Sequence, residues 1–191
     1  SRLQWSLVGT QEYAEWDESK HPRIPKGDEK GGEFAPTGES AAAKNFYNNS
    51  IAAKLNDDEK EALAHYSYSG SKYINENLRS GKIDSQTQRM VDAIDGAFAK
   101  APKTGAELIV YRSARNSEIA PGKQKGYLSV SWNKASVTKD IKKVKDQYSI
   151  IRITVPKGTS VISMKGLSEA PGGGKKTEGE LLLPRGLTLV V

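Results

Sequence analysis

Apolar side chains return every three or four positions between residues 56 and 102, and roughly every second position after Pro102. The first pattern is that of helices with one buried face, the second that of strands. "NDDEKEALAHYSYSG" (56–70) opens with Asn56 or Asp57 in a capping position and acidic residues in the first turn, where they complement the helix dipole, and Gly70 interrupts it. "SKYINENLRSG" (71–81) places Tyr73, Ile74 and Leu78 on one face and stops at Gly81. In "DSQTQRMVDAIDGAFAKAP" (84–102), Met90, Val91, Ile94 and Phe98 recur at helical steps until Pro102. Six short β-branched or aromatic segments follow, at 106–114, 126–132, 148–156, 159–163, 179–183 and 186–191, bounded by Gly, Pro, Asn or Lys. Helices followed by strands predict an α+β domain, with N-terminal helices packed on a mixed or antiparallel β core. There is no βαβ alternation, so a Rossmann arrangement is not expected.

The first forty residues break both periods. "DESKHPRIPKGDEKGGEFAPTGES" (17–40) carries three prolines, four glycines and alternating charges, so residues 1–40 are expected to form an extended arm or linker and 41–191 the folded domain. Packing within the arm would come from Trp5, Leu7 and Trp16. The stretch resembles the "HPR…GxxxGGxF" segments of tailed-phage head-associated and prophage-encoded proteins over about twenty residues. That resemblance implies a phage or prophage setting, not an activity.

Composition narrows the chemistry. At 191 residues the chain is long enough for one sizeable domain, and 36% hydrophobic with 27% charged residues suits a globular protein. No apolar stretch approaches the length of a membrane span, and no apolar signal-peptide centre lies in the first thirty residues. The absence of cysteine excludes disulfides and thiolate metal sites, and two histidines, His21 and His65, argue against a metal site built on imidazole, so no metal is expected. The formal net charge of +6 suits nucleic acid, an acidic protein surface or a phosphate-rich small molecule alike. Lysines crowd into "KASVTKDIKKVKDQ" (134–147), which reads most simply as the solvated face of a short helix.

"EAPGGGKKTEGE" (169–180) is not a phosphate-binding P-loop: the position five before Gly174 is Glu169, and Lys176 follows Lys175 where Ser or Thr is required. Three other features carry more. Arg112 lies in "LIVYRSA", a strand apolar enough to be buried, where either a structural carboxylate or a ligand phosphate would offset its desolvation. Ser129 and Ser131, two apart in "GYLSVSW", point to one face of a strand, with Leu128 and Val130 to the other. Glu178 and Glu180 share that spacing, so in an extended segment their carboxylates project together and repel unless a cation or a function holds them.

In this order the three resemble the Arg, Ser-Thr-Ser and Glu-x-Glu constellation of mono-ADP-ribosyltransferases of the cholera- and clostridial-toxin-like class. "YSGSKYINENLRSG" is similar to a helix of the bacterial ADP-ribosyltransferase exoenzymes, through Tyr68, Tyr73, Ile74, Asn75, Leu78 and Arg79. The resemblance covers about residues 45–191. This chain departs from it at Val130, where many members have Thr, and at Ser113, where Gly is frequent; neither change removes a group the chemistry needs.

The resemblance implies a split two-sheet fold and NAD as substrate, with no metal. It implies Glu180 stabilising an oxocarbenium-like transition state, Glu178 engaging the acceptor, and Ser129 bracing the NAD site. Arg112 would hold a diphosphate or ribose, and Ser131, Asn75, Arg79, Tyr127 and Trp132 would complete the cofactor-binding set. Gly172–Gly174 with Lys175 and Lys176 would form a target-recognition loop or an ordinary connector. Trp132 and the lysines after it would cover NAD or belong to a plain amphipathic helix. The acceptor implied is a macromolecule, protein arginine favoured and nucleic acid possible, met in the cytoplasm of a target or infected cell after virion-associated or secreted delivery. An NAD glycohydrolase is the near alternative, and a virion-associated nucleic-acid-binding or structural module the distant one.

Overall fold

A computed structural model describes residues 2–8, 38–115, 121–141, 148–167 and 179–190. Five α-helices and eight strands are formed there: β1 (Arg2–Val8), α1 (Gly38–Tyr47), α2 (Asp57–His65), α3 (Ser71–Ser80), α4 (Ser85–Lys100), β2 (Leu108–Arg115), β3 (Gly122–Lys123), β4 (Leu128–Ser131), α5 (Lys134–Ile141), β5 (Tyr148–Val155), β6 (Ile162–Ser163), β7 (Glu180–Leu183) and β8 (Thr188–Val190). A single 3-10 turn, Ala52–Lys54, precedes α2, and a π-helical turn, Tyr66–Gly70, joins α2 to α3.

The strands run in the order β3-β8-β1-β5-β2-β4-β7-β6. Every pairing is antiparallel except β1 with β8, so the sheet is mixed. The alternation expected of β4 and β7 holds. Leu128, Val130, Leu181 and Leu183 join Leu3, Val110, Ile153 and α1 in one core, while Tyr127 and Leu182 join α2, α3 and α4 in a second. The leucine triplet 181–183 is fully buried because it is covered on both faces, which explains its uninterrupted apolar reading. A small third cluster seats Val137 of α5 against Ile109, Tyr111 and Ile150.

Two expectations require correction. Residues 2–8 are not an arm: β1 lies inside the sheet, between β8 and β5, with Leu3 fully buried. The alternation of Leu3, Trp5 and Leu7 is that of a strand. Gly70 does not interrupt the helical path either. α2, the π turn and α3 are contiguous, and a Cβ at 70 would lie 2.5 Å from Cδ2 of His65, so a larger residue there would displace that exposed imidazole.

Helix starts follow local chemistry. Asn56 accepts from the Glu59 N–H at 2.8 Å while Glu59 accepts from the Asn56 N–H at 2.9 Å, a reciprocal capping box. Asp84 caps α4 through the Thr87 N–H at 2.7 Å. Helix α3 ends on Gly81 at φ 73°, the left-handed conformation glycine adopts without steric cost.

Candidate active site

Strands β2, β4 and β7 are neighbours in the sheet, and between them they deliver Arg112, the pair Ser129 and Ser131, and Glu180. Arg112, half-buried near the end of β2, donates through Nη1 to the Ser129 carbonyl at 2.8 Å. Ser131 pairs across the ladder with Glu180, and Ser129 with Leu182. Period-2 alternation therefore sets Ser129, Ser131 and Glu180 on one face of the sheet.

Over that face stands the π turn. The Tyr66 hydroxyl, fully buried, accepts from Asn75 Nδ2 at 2.9 Å and donates to the Tyr127 carbonyl at 3.3 Å. Burial pushes its ionisation upward; bonds from Asn75 and Ser129 and the Arg112 charge oppose this, and the Glu180 charge adds to it. One phenol thus senses the guanidinium, the serine and the carboxylate together. The next residue, Ser67, donates to Glu180 Oε2 at 2.7 Å. Neither Tyr66 nor Ser67 was a sequence candidate. The π turn was the missing signal, since an i→i+5 turn has no compositional mark; here the Ser71 N–H bonds to the Tyr66 carbonyl.

In the turn just before β7, Gly179 has φ 84°, and a Cβ there would lie 2.6 Å from Trp132 Nε1. The Trp132 N–H donates to the Gly179 carbonyl at 3.2 Å, and the indole packs against Tyr47, ring centroids 6.4 Å apart, with Lys44 Nζ 5.2 Å from its ring. Trp132 Nε1 is buried and finds no hydrogen-bond partner among the described residues. Tyr47 is held above its usual range by burial, with the Gly179 N–H opposing and the Glu180 charge reinforcing.

A cleft of about 340 Å³ opens beside Arg112, lined also by Arg79, Lys123, Gln124 and Lys125. Four cationic side chains around one concavity favour a phosphorylated ligand.

The remaining candidates take distinct places. Asn75 is buried: besides Tyr66 it donates to the Tyr127 carbonyl at 3.2 Å, and its Oδ1 accepts the Tyr127 N–H at 2.9 Å. Its polar atoms thus tie α3 to the residue before β4. Tyr127 borders the cleft, but its ring stacks on Phe98 within the helical core and its hydroxyl donates to Asp95 at 2.7 Å. Arg79 is exposed at the cleft. Ser131 accepts from the Asn133 N–H at 3.0 Å and lies 3.2 Å from the Ser136 hydroxyl, organising the start of α5. Lys134–Ile141 is the expected short helix. Glu178, the 172–174 glycines, Lys175 and Lys176, and lysines 142, 143 and 145 lie outside the described residues. Among the described residues no acidic or histidine cluster with the makings of a metal site occurs, and no helix is long and apolar enough to cross a membrane.

Comparison with known proteins gives the arrangement a context. The ADP-ribosyltransferase exoenzyme family matches residues 41–122. Among solved structures, an ADP-ribosyltransferase toxin from Paenibacillus larvae is similar at TM-score 0.54 and 22% identity, over 75% of this chain and 82% of that one. An ADP-ribosyltransferase from Clostridium botulinum is similar at TM-score 0.54 and 19% identity, over 82% and 97%. The ADP-ribosyltransferase Vis from Vibrio splendidus reaches TM-score 0.50 at 19% identity, over 77% and 79%. No curated protein sequence matches. The helices and mixed eight-stranded sheet have the fold of the ADP-ribosyltransferase toxins, and the segment from α1 to β3 matches the exoenzyme family.

Proposed function

We propose that this protein is an NAD-dependent mono-ADP-ribosyltransferase of the Arg/Ser-x-Ser/Glu-x-Glu class, transferring ADP-ribose to a macromolecular acceptor with release of nicotinamide. The observation that carries the reading is that Arg112, Ser129 and Glu180 stand on three adjacent strands, with Arg112 bonded to the Ser129 carbonyl and lining a basic cleft and Glu180 on the face of Ser129.

In this reading the diphosphate of NAD lies in the cleft against Arg79, Arg112, Lys123 and Lys125. Arg112 suits the task because its planar fork, anchored through Nη1 to the Ser129 carbonyl, matches the geometry of a diphosphate better than a lysine ammonium would. Glu180 faces the ribose. As the bond from C1′ to nicotinamide breaks, its electron pair leaves with the neutral nicotinamide and positive charge develops on the sugar, which the carboxylate stabilises. An acceptor nitrogen then bonds C1′ and gives up a proton. Glu178 is assigned to the acceptor, as proton acceptor or orienting group, and protein arginine is the favoured acceptor. NAD glycohydrolysis is the same chemistry with water in the acceptor's place.

The test is incubation of purified protein with labelled NAD and bacterial or eukaryotic lysate, with Glu180→Gln alongside and nuclease or protease digestion of the products. Label on macromolecules with the wild type, and turnover reduced by about 10²–10³-fold in a folded Glu180→Gln, is the expected result, the loss typical when one transition-state electrostatic partner is removed. Nicotinamide release without label would assign a glycohydrolase. Full turnover by Glu180→Gln would sink the assignment of that residue.

A further inference from the structure

We infer that the π turn is a brace for the carboxylate, and that Ser67 is a positioning residue which fixes Glu180 in its working orientation and keeps it ionised. The inference deepens the transferase reading and rests on it for its kinetic consequence. Its structural part stands apart from that reading.

A carboxylate at the first residue of β7 has an unrestrained side chain unless something outside the strand holds it. The ladder fixes only the Glu180 backbone, opposite Ser131. Ser67 supplies a hydroxyl donor at 2.7 Å to Oε2, from an element 113 residues away in sequence. Such a bond favours the charged acid and restricts its rotamers. Two successive residues of the π turn act on the site: Tyr66 reaches Asn75 and the Tyr127 carbonyl with Ser129 beside it, while Ser67 reaches Glu180. The turn is itself held at its first residue, where Asn75 donates to the Tyr66 hydroxyl while its Oδ1 accepts the Tyr127 N–H. Single π turns inside α-helices recur at functional sites, where the displaced register aims a side chain.

Other groups bear on the same carboxylate. Tyr66 of the π turn and Tyr47 of α1 both feel its charge, and Arg112 of β2 acts on Tyr66 from the opposite sign. Ser67 carries no charge and donates directly to Glu180, so replacing it removes this hydrogen bond without altering the charge of the site.

The test compares wild type, Ser67→Ala and Ser67→Thr, with two readouts. The first is a carbon-detected NMR titration of side-chain carboxyls, the Glu180 signal being assigned by its loss in Glu180→Gln. The second is nicotinamide release from NAD as a function of pH. Ser67→Ala should raise the Glu180 titration midpoint and lower kcat about tenfold with little change in KM, and shift the acid limb of the rate profile to higher pH. Ser67→Thr, which keeps a hydroxyl, should restore both. An unmoved Glu180 midpoint in folded Ser67→Ala overturns the brace whether or not kcat falls. Absence of nicotinamide release by the wild type would instead sink the transferase reading, and the titration would still decide the role of Ser67.

Discussion

Gly179 is where backbone and side-chain demands meet most tightly, one residue before Glu180. Its φ of 84° is a conformation L-residues adopt only with strain, and a Cβ would lie 2.6 Å from Trp132 Nε1. The two penalties can be separated. Gly158 has nearly the same φ, 85°, with nothing within 4 Å of a Cβ, so Gly158→Ala measures the backbone cost alone. That cost should be about 1 kcal/mol, and Gly179→Ala about 3 kcal/mol, once the displaced indole is included. Urea midpoints for the two variants check the difference. Equal losses would mean that the indole moves aside freely and does not hold the start of β7. The sequence made parity legible within one strand, since Ser129 and Ser131 fall on one face by counting alone, whereas the β4–β7 register is what brings Glu180 to that same face. It did not reveal Ser67 or Tyr66, because a hydroxyl's partner more than sixty residues away is set by how helices seat on the sheet, not by spacing.

At the scale of elements, the helices whose apolar positions repeat cleanly were legible: α4 buries Val91, Ile94 and Phe98, as their spacing required. The junction of α2 and α3 was not, because apolar periodicity runs through both and the single i→i+5 turn between them leaves no mark on it. Asn75 sits at the consequence of that junction. The exoenzyme-like motif makes it a ligand candidate, yet its side chain is occupied by the Tyr127 backbone and the Tyr66 hydroxyl. Asn75→Ala would leave the buried Tyr127 N–H without its partner and should cost about 2–3 kcal/mol of stability, seen by calorimetry. Arg79→Ala, by contrast, removes an exposed cleft cation and should leave the melting temperature within a degree or two while weakening NAD binding about tenfold by titration calorimetry. An Asn75→Ala variant that kept its stability but lost NAD affinity would reverse these assignments.

For the molecule as a whole, the decisive element is the one that composition hid. The Pro- and Gly-rich stretch after residue 16 made the whole N-terminal forty look like an arm, yet β1 joins residues 150–154 on one side to 188–190 on the other. Without it the sheet is divided: β3 and β8 lose their connection to β5, two ladder edges open, and the core loses Leu3. Opened edges invite pairing with other chains. Removal of residues 1–8 should therefore abolish a single cooperative melting transition and produce association visible by light scattering. Leu3→Ala in the full chain, which keeps the ladder and deletes only the buried side chain, should stay monodisperse relative to wild type and lose about 2–4 kcal/mol. If the shortened chain instead melted cooperatively at the wild-type temperature, the fold would be complete from residue 41 onward, and β1 would be an accessory strand rather than the link that joins the two parts of the sheet.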